Sequence, residues 1–221
     1  MIPGTMNPVP SETPVTPPIP EGMRSDAAAS WPSRTLIESF LGDRDFEFRP
    51  GEDVTLPGDD PEVMAAARQF RDVLGRYASG VTVVTTVSND EPVGMTCQSF
   101  MSVSLTPPLI MFSPAKTSRA WPRIQASGRF AVNFLGRDQE GLSNTMAARG
   151  SDKFAGVEWT PAPVTGSPLF DGAVGYVDCT IDRVYEAGDH FLVLGLVEDL
   201  QVTEATEPLL YFQGKYRGLG A

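Results

Sequence analysis

The stretch Val81-Thr82-Val83-Val84-Thr85-Thr86-Val87 is β-branched at every position. Such side chains lose rotamer freedom in a helix and pack well on a pleated surface, so the run reads as a strand. Upstream, Asp60 reads as the cap of a helix that opens on Pro61 and carries Glu62 in its first turn. Val63, Ala67, Phe70, Leu74 and Tyr77 then recur at three-to-four spacing as one apolar face, with Gly80 as the stop. Downstream, Ser88-Asn89-Asp90-Glu91-Pro92 is a turn. Val93 to Val103 reads as a second strand, or a strand plus loop, and Leu109-Ile110-Met111-Phe112 as a third. A helix-like stretch, Ser118–Ala126, precedes another strand at Phe130–Leu135. Asp138–Ala148 reads as a helix capped by Asp138 and stopped by Gly150. Residues 155–170 carry Pro161, Pro163 and Pro168 and read as loop, and strands follow over 173–185, 190–200 and 208–213. Strands joined by short turns argue for an antiparallel sheet, closed as a barrel. There is no βαβ alternation and no Gly-x-Gly-x-x-Gly, so a Rossmann domain is not expected.

The ordered domain is expected over residues 61–221. Residues 1–33 contain eight prolines and few bulky apolar side chains, and read as a disordered tail. Residues 34–60 form an extension, in which Leu36, Ile37, Phe40, Leu41, Phe46 and Phe48 suit a short helix or a strap. The net charge is −11, and residues 1–60 supply most of it, with eleven acids against four bases. No basic stripe suggests nucleic acid. No apolar run approaches the roughly 18 residues of a membrane span, and no signal peptide is visible. Cys97 and Cys179 are far apart in sequence and are expected to be buried thiols in a reducing cytoplasm.

The chain has one histidine, His190, which removes any multi-histidine metal centre. Ser-His-Asp hydrolysis stays formally open, but there is no Gly-x-Ser-x-Gly turn to present a serine. Any difficult chemistry is therefore expected of a bound cofactor. Three constellations could hold one. Gly94 to Ser104 places small and hydroxyl residues between apolar runs, where buried polar groups need partners. Ser113-Pro114-Ala115-Lys116-Thr117-Ser118-Arg119 opens the helix around Trp121, with Thr117 or Ser118 as cap; free N–H groups and two cations make a phosphate site. The same residues also fit an ordinary capped surface helix. Gly188-Asp189-His190 fits either a plain hairpin turn or a histidine placed against a flat ligand.

Taken together, Gly80–Thr86, Gln98–Leu109, Gly128–Asn133, Asp152–Val157, Gly188–His190 and Pro208–Phe212 resemble, in order and spacing, the flavin reductases that serve two-component monooxygenases. Val93–Phe100 and Lys116–Trp121 are most similar to the subgroup paired with secosteroid hydroxylases. The resemblance covers residues 63 to 218. It implies a mainly β, antiparallel FMN-binding split β-barrel (Greek-key) with a few flanking helices, forming a homodimer. It implies that Pro92, Val93, Gly94, Met95, Thr96, Gln98 and Ser99 line the flavin ring and ribityl chain. Ser113, Pro114, Ala115, Lys116, Ser118, Arg119 and Ala120 would hold the phosphate, and Phe154 would pack near the ring. His190, with Asp189, would meet the nicotinamide cofactor as the catalytic contact, and Tyr216 and Arg217 would close that side.

The implied activity is hydride transfer from NADH, with NADPH left open, to FMN or FAD. Reduced flavin would then pass to a separate oxygenase. A flavin-binding electron carrier or redox sensor without NADH turnover is the alternative. An oxidase of the pyridoxamine-phosphate type shares the architecture but needs more phosphate-gripping cations.

Overall fold

The computed structural model describes residues 61–148, 152–205 and 207–220. The expected tail, the extension, the Asp60 cap and the Gly150 stop lie outside the described residues. Three helices and twelve strands make up the rest: α1 Pro61–Leu74, β1 Ser79–Gly80, β2 Thr82–Ser88, β3 Glu91–Cys97, β4 Met101–Leu105, β5 Pro108–Phe112, α2 Ala120–Ser127, β6 Arg129–Phe134, α3 Glu140–Ala147, β7 Thr160–Pro161, β8 Pro168–Leu169, β9 Gly175–Ala187, β10 His190–Val202, β11 Leu210–Phe212 and β12 Lys215–Arg217.

Seven strands form one antiparallel sheet in the order β3-β2-β6-β9-β10-β5-β4. β2 is covered on both faces, which is why its sequence is unbroken in β-branched residues. Val84 joins a core with Val93, Phe112, Trp121, Ile124, Phe130 and Val193. Val81 and Val83 join a second core with Leu135, Met146, Phe170 and Leu209. The strand's buried threonines keep their hydroxyls satisfied: Thr82 donates to the Cys97 carbonyl at 2.7 Å, Thr85 to Pro168 at 2.7 Å and Thr86 to Arg129 at 2.8 Å. Opposite Phe130, β10 carries Gly195. A Cβ there would lie 2.5 Å from Phe130 Cζ, so the ring can cross the sheet only because that side chain is missing.

The margins of this sheet, β3 and β4, are not hydrogen-bonded to one another, yet only Gln98, Ser99 and Phe100 separate them. Four Cα–Cα steps reach at most about 14 Å, so the sheet is rolled until its margins nearly meet. Among the described residues no ladder joins β3 to β4, so hydrogen bonding does not complete the expected barrel there. The expected strand over Val93–Val103 likewise divides into β3 and β4 around the Gln98–Phe100 link.

Other boundaries differ for local reasons. The first helix stops at Leu74 rather than Gly80, because Gly75 ends it with an N–H to Arg71 O bond of 2.7 Å and Gly80 belongs to β1. The third helix starts at Glu140. Gln139 holds the capping position expected of Asp138, and its side chain instead ties Gly136 to Asp171. The loop over 155–170 contains the pair β7–β8, held by Asp178, whose Oδ2 accepts the N–H groups of Val164 and Thr165 at 3.0 Å each. The last expected strand, 208–213, continues through Gln213-Gly214, both at positive φ, into β12.

Candidate functional site

Two cavities adjoin along β3 and the start of α2. The first, of about 400 Å³, is lined by Met95, Thr96, Cys97, Gln98 and Ser99 from β3 and the link. Ser113, Ala115 and Ser118 add the segment between β5 and α2, Met146 and Ala147 add α3, and His190 adds the start of β10. The second, of about 430 Å³, is lined by Glu91, Pro92, Val93 and Gly94, by Arg119, Ala120 and Arg123, and by Asp152, Lys153 and Phe154.

The first cavity sits on the seam of the rolled sheet. Ser99 spans it: its hydroxyl accepts the Ser113 N–H at 2.8 Å and donates to the Ser113 carbonyl at 3.1 Å. Cys97 Sγ lies 3.1 Å from the same hydroxyl. Burial pushes the Cys97 thiol up from its ordinary pKa, against the hydrogen bonds from Ser99 that lower it. Ser118 caps α2 in substance, since its Oγ accepts the Trp121 N–H at 3.2 Å while its O–H points to Met95 Sδ at 3.7 Å.

α3 is pinned to this wall at three places. The Thr96 hydroxyl donates to the Ser143 carbonyl at 2.6 Å. The Tyr216 hydroxyl lies 2.9 Å from Ser143 Oγ and donates to Asn144 Oδ1 at 3.1 Å. Lys153 Nζ donates to Met146 O at 2.8 Å, an ammonium at the helix C-terminus. Gly94 lets the helix come this close. A Cβ there would stand 2.9 Å from Met146 Sδ and 3.2 Å from Phe154 Cζ.

His190 reaches the cavity through backbone pairing. Ala115 and His190 form an antiparallel bridge, flanked by Phe191 N–H to Pro114 O at 2.9 Å and Lys116 N–H to Asp189 O at 2.8 Å. The turn Gly188-Asp189 has Gly188 at φ 63°. His190 Nδ1 is 2.8 Å from Asp189 Oδ1, which turns Nε2 away from the carboxylate. That hydrogen bond, with the charges of His190 and Lys116, holds the Asp189 carboxyl below the usual carboxylate range.

Most of the residues expected from sequence are brought together. The first cavity takes Met95, Thr96, Gln98, Ser99, Ser113, Ala115, Ser118 and His190, and the second takes Pro92, Val93, Gly94, Arg119, Ala120 and Phe154. Five line neither. Pro114 is buried and serves as a backbone acceptor for Phe191. Asp189 acts on His190. Lys116 Nζ is paired with Glu186 at 3.1 Å and lies 5.7 Å from the Phe191 ring centre. Tyr216 bonds to α3, and Arg217 is exposed on β12. Met146, Ala147, Lys153 and Arg123 were not foreseen. Their helices and loops read correctly as elements, but nothing local says which side chains will face β3.

The chemistry of this lining suits a flat, acceptor-rich heteroaromatic ring. β3 is a margin strand, so alternate backbone groups lie unpaired along one side. Thr96, Gln98, Ser99, Ser113 and Ser118 add polar groups beside apolar Met95, Met146 and Ala147, in a volume typical of cofactor pockets. Comparison with known proteins gives the family: the flavin reductase like domain matches residues 74–220. The chain belongs to that family. The reductase subunit HsaB of a flavin-dependent monooxygenase from Mycobacterium tuberculosis is 48% identical over 154 residues, 69% of this chain and 82% of that protein. The crystal structure of nitrilotriacetate monooxygenase component B from Mycobacterium thermoresistibile superposes with a TM-score of 0.69 at 46% identity, covering 71% of this chain and 88% of that one. The NADH:FAD oxidoreductase SgcE6 of Streptomyces globisporus, solved with NAD and FAD fragments, gives a TM-score of 0.67 at 37% identity, covering 76% and 98%.

Proposed function

We propose that this flavin reductase family member oxidises NADH, loads the hydride onto a flavin held in the first cavity, and supplies the reduced flavin to a separate monooxygenase component. The observation that carries the reading is the convergence of Gln98, Ser99, Ser113, Ser118 and His190, from three separate stretches of the chain, on one cavity. When bound, flavin supplies a ring nitrogen that accepts a hydride from nicotinamide. The chain's own task is to orient the two rings and exclude water, a proximity effect worth up to about 7–11 kcal/mol in favourable systems. The β3 backbone and the Ser99–Ser113 clip hold one face of the site. His190, fixed by Asp189, meets the nicotinamide cofactor from the β9–β10 turn. Arg119 at the start of α2 is the cation best placed for a phosphate. The second cavity, where Arg119 would meet the phosphate of either flavin, also leaves room for the adenylate half of FAD.

The rolled, open-seamed sheet fits a split β-barrel. One apolar surface supports a homodimer: Phe70, Val73, Leu74 and Tyr77, which are 65%, 62%, 53% and 81% exposed around the end of α1. An exposed apolar patch of this kind marks an interaction surface. No described helix is long and apolar enough to cross a membrane. Cys97 and Cys179 are free buried thiols, which suits the cytoplasm.

The test is steady-state NADH and NADPH consumption with FMN, FAD, riboflavin or no added flavin. Strong stimulation by free flavin is the expected result. A tightly bound yellow chromophore with no nicotinamide turnover would overturn the reductase in favour of an electron carrier.

A further inference from the structure

Three sulfur atoms border the first cavity, those of Met95, Cys97 and Met146, and their surroundings differ. Met146 has no solvent exposure, and its Sδ lies hard against Gly94. Cys97 is buried and bonded to Ser99, and a protonated buried thiol is a poor nucleophile. Met95 is only half-buried, on a margin strand, and its Sδ receives one long O–H contact of 3.7 Å from Ser118. A thioether needs no deprotonation to react with peroxide.

We propose that Met95 is an oxidative modification site, converted to methionine sulfoxide by hydrogen peroxide generated inside the cavity, and that the change slows the enzyme. The proposal rests on the function argued above. When O₂ reaches the reduced flavin before an oxygenase does, two electrons and two protons pass to O₂ and leave as H₂O₂. A lone pair of Met95 Sδ then attacks one peroxide oxygen. The O–O bond breaks, an S–O bond forms, and the second oxygen leaves as water with both protons. Sulfur loses the two electrons that peroxide gains.

The product differs from the thioether in the property the site uses. Met95 contributes apolar surface between Thr96 and Ser118. Its sulfoxide places a strong, bulky acceptor there, next to the Ser118 hydroxyl that caps α2 at Trp121. Flavin affinity is expected to fall while the core stays intact. Met95 would thus act as a brake on uncoupled turnover, released from duty whenever a partner drains reduced flavin quickly.

Met101 supplies the internal control. It is 51% exposed and lines neither cavity, so peroxide from bulk solvent meets it before Met95. Peroxide born in the cavity meets Met95 first. The experiment follows both residues by peptide mass spectrometry during aerobic NADH turnover with flavin and without an oxygenase, with catalase in solution. A second arm photoreduces flavin on the protein without any nicotinamide and then admits air, so the outcome is read even if NADH turnover fails. Met95 is expected to gain one oxygen ahead of Met101 in both arms, and not under argon. The rate should fall at least about two-fold as Met95 is consumed. Met95→Leu, measured against its own initial rate, should hold that rate through the same number of turnovers. Oxidation of Met101 before Met95, or a loss of rate with Met95 unmodified, would overturn the proposal.

Discussion

The first cavity has two unlike sides. One is a wall of core elements: β3, the link across the seam, the end of β5 and α2, where Phe112, Trp121 and Ile124 are buried behind the lining. The other is a rim at the β9–β10 turn, where exposed Glu186 pairs with Lys116 from the segment between β5 and α2, and exposed Asp189 pairs with His190. The wall's contacts are short and run to backbone, as in Ser99 to Ser113 and Thr96 to Ser143. The rim's contacts are an ion pair and a hydrogen bond between exposed or half-exposed side chains, each individually weak. The difference teaches a division of labour. A prosthetic or tightly held ring belongs on the wall, where geometry is fixed in advance. A substrate that comes and goes belongs at the rim, where side chains can exchange partners.

The largest expected effect comes from breaking the wall. Gly94→Val puts carbon within about 3 Å of Met146 Sδ and Phe154 Cζ at the junction of the two cavities. Overpacking of this kind costs about 1–3 kcal/mol of stability, and here it also displaces the α3 wall. Flavin titration followed by fluorescence should show affinity reduced by well over an order of magnitude, with a lowered Tm. Retained affinity would mean that α3 is not part of the site.

Removing His190 should separate the two sides. His190→Ala deletes a rim contact while leaving the Ala115 backbone bridge in place. One lost hydrogen bond of about 1–1.5 kcal/mol corresponds to roughly a five- to ten-fold rise in KM for NADH. Flavin Kd should move far less. Equal effects on both would erase the distinction between wall and rim, and an unchanged kcat/KM for NADH would take His190 out of the site.

The sequence carried the wall better than the rim, and the reason is physical. A β-branched run, a hairpin signal at Asn89-Asp90 and short connections are local, so β2, β3 and β9–β10 were legible in it. So was the lining from Met95 to Ser118, which is nearly contiguous. Side-chain pairing across the turn was not legible. Lys116 looks like a phosphate ligand until the fold sets Glu186 beside it, seventy positions on. Met146 and Lys153 enter the site only because Gly94 admits α3, a tertiary fact with no local pattern. Helix limits failed where one residue outweighed periodicity, as at Gly75.

The cations of the wall and the rim can be compared directly. Arg119 lines the second cavity, whereas Lys116 is held by Glu186 and the Phe191 face. Arg119→Gln is therefore expected to weaken FMN and FAD binding about three- to five-fold at low salt, in the range of a single charge-assisted contact. Lys116→Gln should change it less than two-fold, about the worth of an exposed pair. The reverse order would return Lys116 to the phosphate site and require its pair with Glu186 to open on binding.

The smallest effect concerns pH at the rim. The Asp189 carboxyl is held below its ordinary range, chiefly by the hydrogen bond to His190. A carboxylate depressed in the folded state contributes its stabilisation above the pKa of the unfolded chain, and that contribution drains away as pH falls through the folded value. The Asp189–His190 pairing therefore keeps its carboxylate through the neutral range, and its hold on the ring weakens only as the pH falls below the ordinary carboxylate range. Because Asp189 is exposed, the cost to global stability is slight. The sensitive readout is the wild type against Asp189→Asn: the variant should carry a modestly higher KM for NADH across the neutral range, and the two should converge as the pH is lowered toward the limit of folding. A gap that stayed constant into acid would show that Asp189 serves the turn by its shape and not by its charge.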